Sequence, residues 1–261
     1  MHLLPIELRT VNVTRYVTPL REGGSMPAIA EADDGFLYVV KFRGAGQGPK
    51  ALIAELIGGE IARALGLKIP ELVFVNLDEA FGRTEADEEI QDLLKASTGL
   101  NLALHYLSSA ISFDPSVSKV DAHTASKIVW LDAFLMNMDR TVRNTNMLLW
   151  RNDLWLIDHG AALYFHHAGS SWEHKATATF EMIKNHVLLQ DATELAAVDQ
   201  LAKSCLSNSF INELVNIIPA AWLAADLIYP SIEEQRNAYA NYLINRLSHS
   251  NIFIEEVAHA Q

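Results

Sequence analysis

The chain has 261 residues, half of them hydrophobic, and a formal net charge of −12. This composition excludes a disordered chain, and the acidic balance excludes general DNA or RNA binding, which needs a basic face. A nucleotide ligand stays compatible with it, provided that metal ions and a few local cations neutralise the phosphates.

The opening MHLLPIELRTVNV has no basic start followed by a long apolar stretch, so no signal peptide is expected. No run reaches the roughly 20 apolar residues of a membrane span. Cys205 is the single cysteine, so no intramolecular disulfide forms, and a reducing, cytoplasmic setting is expected. Alternation in VNVTRYV (11–17) predicts a strand, and LREGGSMP (20–27) is turn-rich. In AIAEADDGFLYVVKF (28–42), Asp34-Gly35 splits two short strands into a hairpin, with Lys41 at the end of the second. GAGQGP (44–49) breaks the pattern. KALIAELIGGEIARALGL (50–67) then has helical spacing and ends near Gly66. ELVFVNL (71–77) and GLNLALHYL (99–107) read as strands around the acidic segment TEADEEIQDLLKAS, which reads as a solvated helix rather than a docking site.

The remainder is mostly helical. DAHTASKIVWLDAFLMN (121–137) has an apolar face. NMLLW (146–150) and the segment 153–157 leading to Asp158 are short strands joined by Arg151-Asn152. From Trp172 onward helices are expected, with capping-box spacing at Asp191 to Glu194 and Ser231 to Glu234.

The polar residues of NMDRTVRNTNMLLWRNDLWLIDHG (137–160) bracket strands that otherwise favour burial. Asp139 and Asn144 stand in an Asp-x4-Asn spacing that suits phosphoryl transfer. The carboxylate orients or accepts the proton of an attacking hydroxyl, and the amide offers its carbonyl oxygen to a hard cation such as Mg2+. Such a cation needs a second carboxylate, and Asp158 comes to the same edge across the hairpin, with Gly160 freeing the chain to leave. Lys41 can reach the α- and β-phosphates. Glu55 and Glu60 are candidates to hold it, and Glu55, in the first turns, is preferred. Gly23, Gly24 and Ser25 lie in a turn whose N–H groups could cover phosphates.

Taken singly, Asp139, Asn144 and Asp158 read as turn formers; with Lys41 and in this order they read as a nucleotide site. Asn137 and Asn146 read as loop braces. Arg140 and Arg143 are open between local carboxylates and phosphate. GAGQG (44–48) reads as a connector, with a second flap over the nucleotide as the alternative. His159, His166, His167 and His174 lack the spacing of zinc ligands.

The order of Gly-rich turn, strand lysine, helix glutamate, DRxxxN and IDHG resembles the kinase fold. In detail it resembles the HipA-like kinases, and more distantly the phosphoinositide kinases. EGGSMPAIAEADDGFLYVVKFRGAGQG (22–48) and NMDRTVRNTNMLLW with LWLIDHGAALYFHH (137–167) are similar to a bacterial branch of that family, over roughly residues 10 to 250. The resemblance implies an α+β, two-lobed protein-kinase-like fold: a small β-rich N-lobe (1–107) and a mostly helical C-lobe (108–261), with ATP and Mg2+ at their junction. It implies Asp139 as catalytic base, Asn144 and Asp158 as metal ligands, Lys41 with Glu55 at the phosphates, and Gly23, Gly24 and Ser25 over the nucleotide. Phosphorylation of Ser25 would then regulate by repelling ATP. The histidine of the family's DRHxxN is Thr141 here, and no Ala-Pro-Glu segment follows Asp158, so 161–180 stands as the substrate-side loop.

The activity implied is transfer of the γ-phosphoryl group to a hydroxyl, that of a protein Ser or Thr. The partners expected are ATP and an unidentified protein or small-molecule acceptor, with no nucleic acid and no membrane. The rival readings are a nucleotide-binding pseudokinase, a transferase of the same fold acting on a small molecule or moving AMP, and a helical interaction protein without nucleotide.

Overall fold

Period-two alternation builds the first part of the molecule. In the computed structural model, which describes residues 6–20, 26–83, 87–169, 172–225 and 228–261, five strands close into a barrel. They are β1 (Thr10–Pro19), β2 (Ala28–Ala32), β3 (Leu37–Lys41), β4 (Leu72–Leu77) and β5 (Gly99–His105), in the order β1-β2-β3-β5-β4. β1 runs parallel to β4, and the other neighbours are antiparallel. Val11, Val13, Ala30, Tyr38, Val40, Val73, Val75 and Ala103 fill the barrel. Alternate residues Leu72, Leu102 and Leu104 face the other way and join the main core.

Helix α1 (Pro49–Ala64) is buried from Leu52 to Ala62. It ends where Gly66, at φ 74°, turns the chain, so that the N–H groups of Gly66 and Leu67 donate back to the Arg63 and Ala62 carbonyls (2.9 and 3.0 Å). Helix α2 (Glu88–Ala96) is capped by Asp87 and sets Ile90, Leu93 and Leu94 against the barrel, while Glu88, Glu89 and Asp92 stay exposed. From Asp87 to Ala96 the acidic segment is thus a solvated helical face, and residues 84–86 lie outside the described residues.

Beyond the barrel the chain becomes helical. Strand β6 (Ile111–Ser112), absent from the sequence reading, pairs with β7 (Met147–Trp150), which pairs with β8 (Asp153–Leu156). Helices α3 (Ala122–Leu135), α4 (Leu195–Cys205), α5 (Asn208–Asn216), α6 (Ala220–Ala224), α7 (Ile232–Ser248) and α8 (Ser250–Ala260) surround a core in which Trp130 stacks on Phe134 at 5.0 Å. No described helix is long and apolar enough to cross a membrane.

Two expectations are corrected here. Residues 172–191 form short 3-10 turns at Trp172–Thr177, Glu181–Asn185 and Leu189–Asp191, not longer helices. Tertiary donors satisfy their backbone instead. The buried Arg246 guanidinium donates to the carbonyls of Ala176 and Ala178 (3.1 and 3.0 Å), and to those of Ala133 and Phe134 at the end of α3 (2.8 and 2.7 Å). The capping box at Asp191 does not form either, because the Glu194 N–H donates to Ser126 Oγ on α3 (2.8 Å). Ser231 does cap α7, accepting from the Glu234 N–H at 3.1 Å.

Candidate active site

A cleft of about 1410 Å³ lies beside the barrel, and Lys41, Asp139, Asn144 and Asp158 all line it. Gly23, Gly24 and Ser25 lie outside the described residues. Ala45 to Gly48 of the GAGQG segment also line the cleft. This segment is a pinned bend: the Arg43 N–H donates to Asn101 Oδ1 (2.8 Å) and the Gly44 N–H to Ser97 Oγ (3.1 Å).

Lys41, at the end of β3, meets α1 on one side and the end of the β7-β8 hairpin on the other. Its Nζ donates to Glu55 Oε2 (2.7 Å) and to Asp158 Oδ1 (2.5 Å). Glu60, the other candidate, pairs instead with Arg63 at 3.3 Å. Burial opposes charge on both Lys41 and Glu55, yet the ion pair outweighs it. The lysine pKa is raised by Glu55 and Asp158, and the glutamate pKa is lowered by Lys41 and then His159. Glu55 Oε2 also accepts the backbone N–H of His159 (2.8 Å), so one carboxylate oxygen ties the lysine and the Asp158 turn to α1. Asp158 sits at φ 55°, in the left-handed region that aspartate tolerates better than most residues.

The loop after α3 folds on itself. Asp139 Oδ2 accepts from the amides of Asn144 (2.8 Å) and Asn146 (3.3 Å). The Thr141 N–H donates to the Asp139 and Asn144 carbonyls (3.0 and 2.9 Å), and Thr141 Oγ1 accepts from the Asn144 N–H (3.4 Å). Asn146 is therefore a brace on Asp139. Arg140 faces away from the cleft: it is fully buried, with Nε on Asp132 Oδ2 (2.6 Å) and Nη1 on the Asn146 carbonyl (2.5 Å). Arg143 is exposed and lines the cleft.

The donor set has hard oxygens. Asn144 spends its amide nitrogen on Asp139, which leaves its carbonyl oxygen. Asp158 spends Oδ1 on Lys41 and, at 3.4 Å, on the Gly160 N–H, which leaves Oδ2. One carboxylate and one amide oxygen, completed by substrate phosphates, suit Mg2+ or Mn2+ better than a soft metal. Among the described residues, no group of three or more His, Cys, Asp or Glu side chains forms a metal site on its own.

The sequence reading missed Asp132 and His186. Asp132 had a visible signal, as the one charge within the apolar run IVWLDAFLMN. His186 had none. It lies far along the chain and meets the loop only through the fold.

A family model described as HipA-like kinase matches residues 13–253. The chain belongs to the HipA-like kinase family. Among solved structures it is similar to a Helicobacter pylori proinflammatory kinase, CtkA. The TM-score is 0.55 at 13% identity, covering 96% of this chain and 99% of that one. A Golgi casein kinase with Mn/ADP bound gives a TM-score of 0.51 at 14% identity, covering 94% of this chain and 74% of that one. At such identities the likeness is one of fold, and that fold is the two-lobed kinase fold. No curated protein matches the chain significantly. Within this HipA-like kinase, the departure at Thr141 leaves the loop intact, because the threonine's own backbone and hydroxyl close the turn onto Asn144.

Proposed function

We propose that this HipA-like kinase transfers the γ-phosphoryl group of ATP, with Mg2+, to a hydroxyl, that of a protein Ser or Thr, and that it works in the cytoplasm. The observation behind this reading is the Lys41 ammonium, bonded to both Glu55 and Asp158 in the cleft that Asp139 and Asn144 also line. Residues 1–107 form the lobe over the nucleotide and 108–261 the catalytic lobe. The pairing of β6 with β7 supports placing Ile111 and Ser112 with the latter.

Each residue then has a distinct task. Lys41 neutralises charge on the α- and β-phosphates, and Glu55 holds it extended. Asp139, fixed by two asparagine amides, takes the proton of the acceptor hydroxyl as its oxygen bonds to the γ-phosphorus and the bond to the ADP oxygen breaks. Asn144 and Asp158 are the residues that would hold the divalent cation, which supplies charge neutralisation across the phosphate oxygens when bound. The rate enhancement comes mainly from positioning and electrostatics, as phosphoryl transfer requires. Gly23, Gly24 and Ser25 cover the phosphates in this reading.

A thermal-shift titration with ATP and Mg2+ tests the nucleotide site. Saturation about 100-fold above Kd adds about 2.7 kcal/mol of stability by linkage. Turnover of γ-labelled ATP, present in the wild type and lost in Asp139→Asn and Asp158→Ala, tests the chemistry. No shift at millimolar ATP overturns the reading. A shift without turnover or labelling of any partner converts it to that of a nucleotide-binding pseudokinase.

A further inference from the structure

The loop that holds Asp139 and Asn144 is anchored from below by Asp132 on α3. This carboxylate is fully buried and takes three side-chain donors: Asn137 Nδ2 on Oδ1 (2.9 Å), and Arg140 Nε and His186 Nε2 on Oδ2 (2.6 and 3.0 Å). The His186 ring is specified at both nitrogens. Its Nδ1 accepts the Leu188 N–H at 3.0 Å, so the proton sits on Nε2 and points at Asp132. The backbone repeats the link, since Thr141 bridges to His186 and the Val187 N–H donates to the Arg140 carbonyl at 3.1 Å. From Asp132 the connection runs through Arg140 to the Asn146 carbonyl, and from the Asn146 amide to Asp139.

We propose that His186 is a positioning residue for the phosphoryl-transfer loop, bracing from outside, through Asp132, the turn that Thr141 closes from within. The proposal rests on the kinase reading above and adds a residue to it. His186 arrives at the end of the turn Glu181–Asn185, just beyond the segment 161–180 read as the acceptor side. The histidine therefore joins that segment to the loop. Removing its ring leaves Asp132 Oδ2 to Arg140 alone and takes the acceptor from the Leu188 N–H, so that only backbone bonds still tie residues 186–188 to the loop. Asp139 and Asn144 then lose their register, while Lys41 and Glu55, on other elements, keep theirs.

The test compares His186→Leu, His186→Gln and His186→Asn in the full chain. In the leucine variant, kcat for Mg2+-dependent turnover of ATP falls about 10- to 100-fold, as for other groups that orient a ligand through a neighbour. KM for ATP at saturating Mg2+ stays within about threefold, because Lys41 and Glu55 keep their geometry and excess cation offsets the weaker metal site. Mn2+ affinity in the presence of ADP, read by electron paramagnetic resonance, falls as well through Asn144. Glutamine places an Nε2 donor at the reach of the histidine Nε2 and recovers most of both quantities. Asparagine is too short and does not. A leucine variant with wild-type kcat and Mn2+ affinity overturns the proposal, as does glutamine falling as far as asparagine. A wild type that neither turns over ATP nor binds ADP overturns the kinase reading, and this proposal with it.

Discussion

His166 shows what burial does to one titratable side chain. Its ring is fully buried, Nδ1 meets the Tyr239 hydroxyl at 3.1 Å, and Nε2 has no hydrogen-bond partner among the described residues. Burial pushes its pKa well below 6.5, and the charges of His167 and Lys50 add to the effect. As pH falls, the unfolded chain takes up this proton while the folded ring stays neutral. The stability it contributes is therefore complete above about pH 6.5 and is lost below it. Denaturant unfolding between about pH 7.5 and 5 is expected to show a slope of up to about 1.4 kcal/mol per pH unit that His166→Phe removes. An identical slope in the variant counts against this account. Glu55 and Asp132 leave that window clear, because their pKa values are lowered from ordinary values of 4.5 and 3.8. The same scale explains the glutamates of α1: residues five apart on a helix point about 140° apart, so Glu55 and Glu60 cannot both reach Lys41.

At the scale of elements, α1 positions the cleft through close approach. A Cβ on Gly58 would lie 2.6 Å from the His159 Cβ, and His159 follows Asp158 directly. His159 therefore packs where a glycine leaves room on the helix, and its N–H reaches Glu55 from there. Gly58→Ala is expected to cost about 1–3 kcal/mol by overpacking. It is also expected to move the Asp158 turn away from Lys41, weakening the thermal shift produced by ATP and Mg2+. A normal ATP-induced shift in a destabilised Gly58→Ala protein would separate packing from ligand binding and refute this coupling. The helical pattern of 50–67 was plain in the sequence, but the partner of Gly58 was not. Periodicity tells which face is apolar and leaves open what lies against it.

Across the whole molecule, tryptophans fasten the helical part to the barrel. Trp222 of α6 donates Nε1 to the Leu100 carbonyl on β5 (2.9 Å) and packs edge-on against Phe74 of β4 at 5.7 Å. Trp150 of β7 donates to the Ser108 carbonyl, just after β5, at 2.9 Å. With α1 packed against α3, α5 and α6 as well, the barrel and the helices are expected to unfold together. Trp222→Phe keeps the ring contact and leaves the Leu100 carbonyl without its donor, at a cost of about 1–3 kcal/mol. Denaturation followed by tryptophan fluorescence and circular dichroism checks this, with one transition in both proteins and a lower midpoint in the variant. Two separate transitions in the wild type would contradict the interlock.

The linear pattern determined the local units: the Asp34-Gly35 hairpin, α1, the strands flanking the acidic helix, and the polar ends of the 146–157 hairpin. These depend on alternation, helical spacing and turn chemistry, which neighbouring residues settle among themselves. It also held the family, because DRxxxN and IDHG are contiguous. The tertiary structure alone decided that Arg140 turns inward to Asp132, that His186 completes that anchor, and that Arg246 takes the carbonyls of Ala176 and Ala178. Each of these is a buried polar group, and which partner satisfies it depends on segments that only folding brings together.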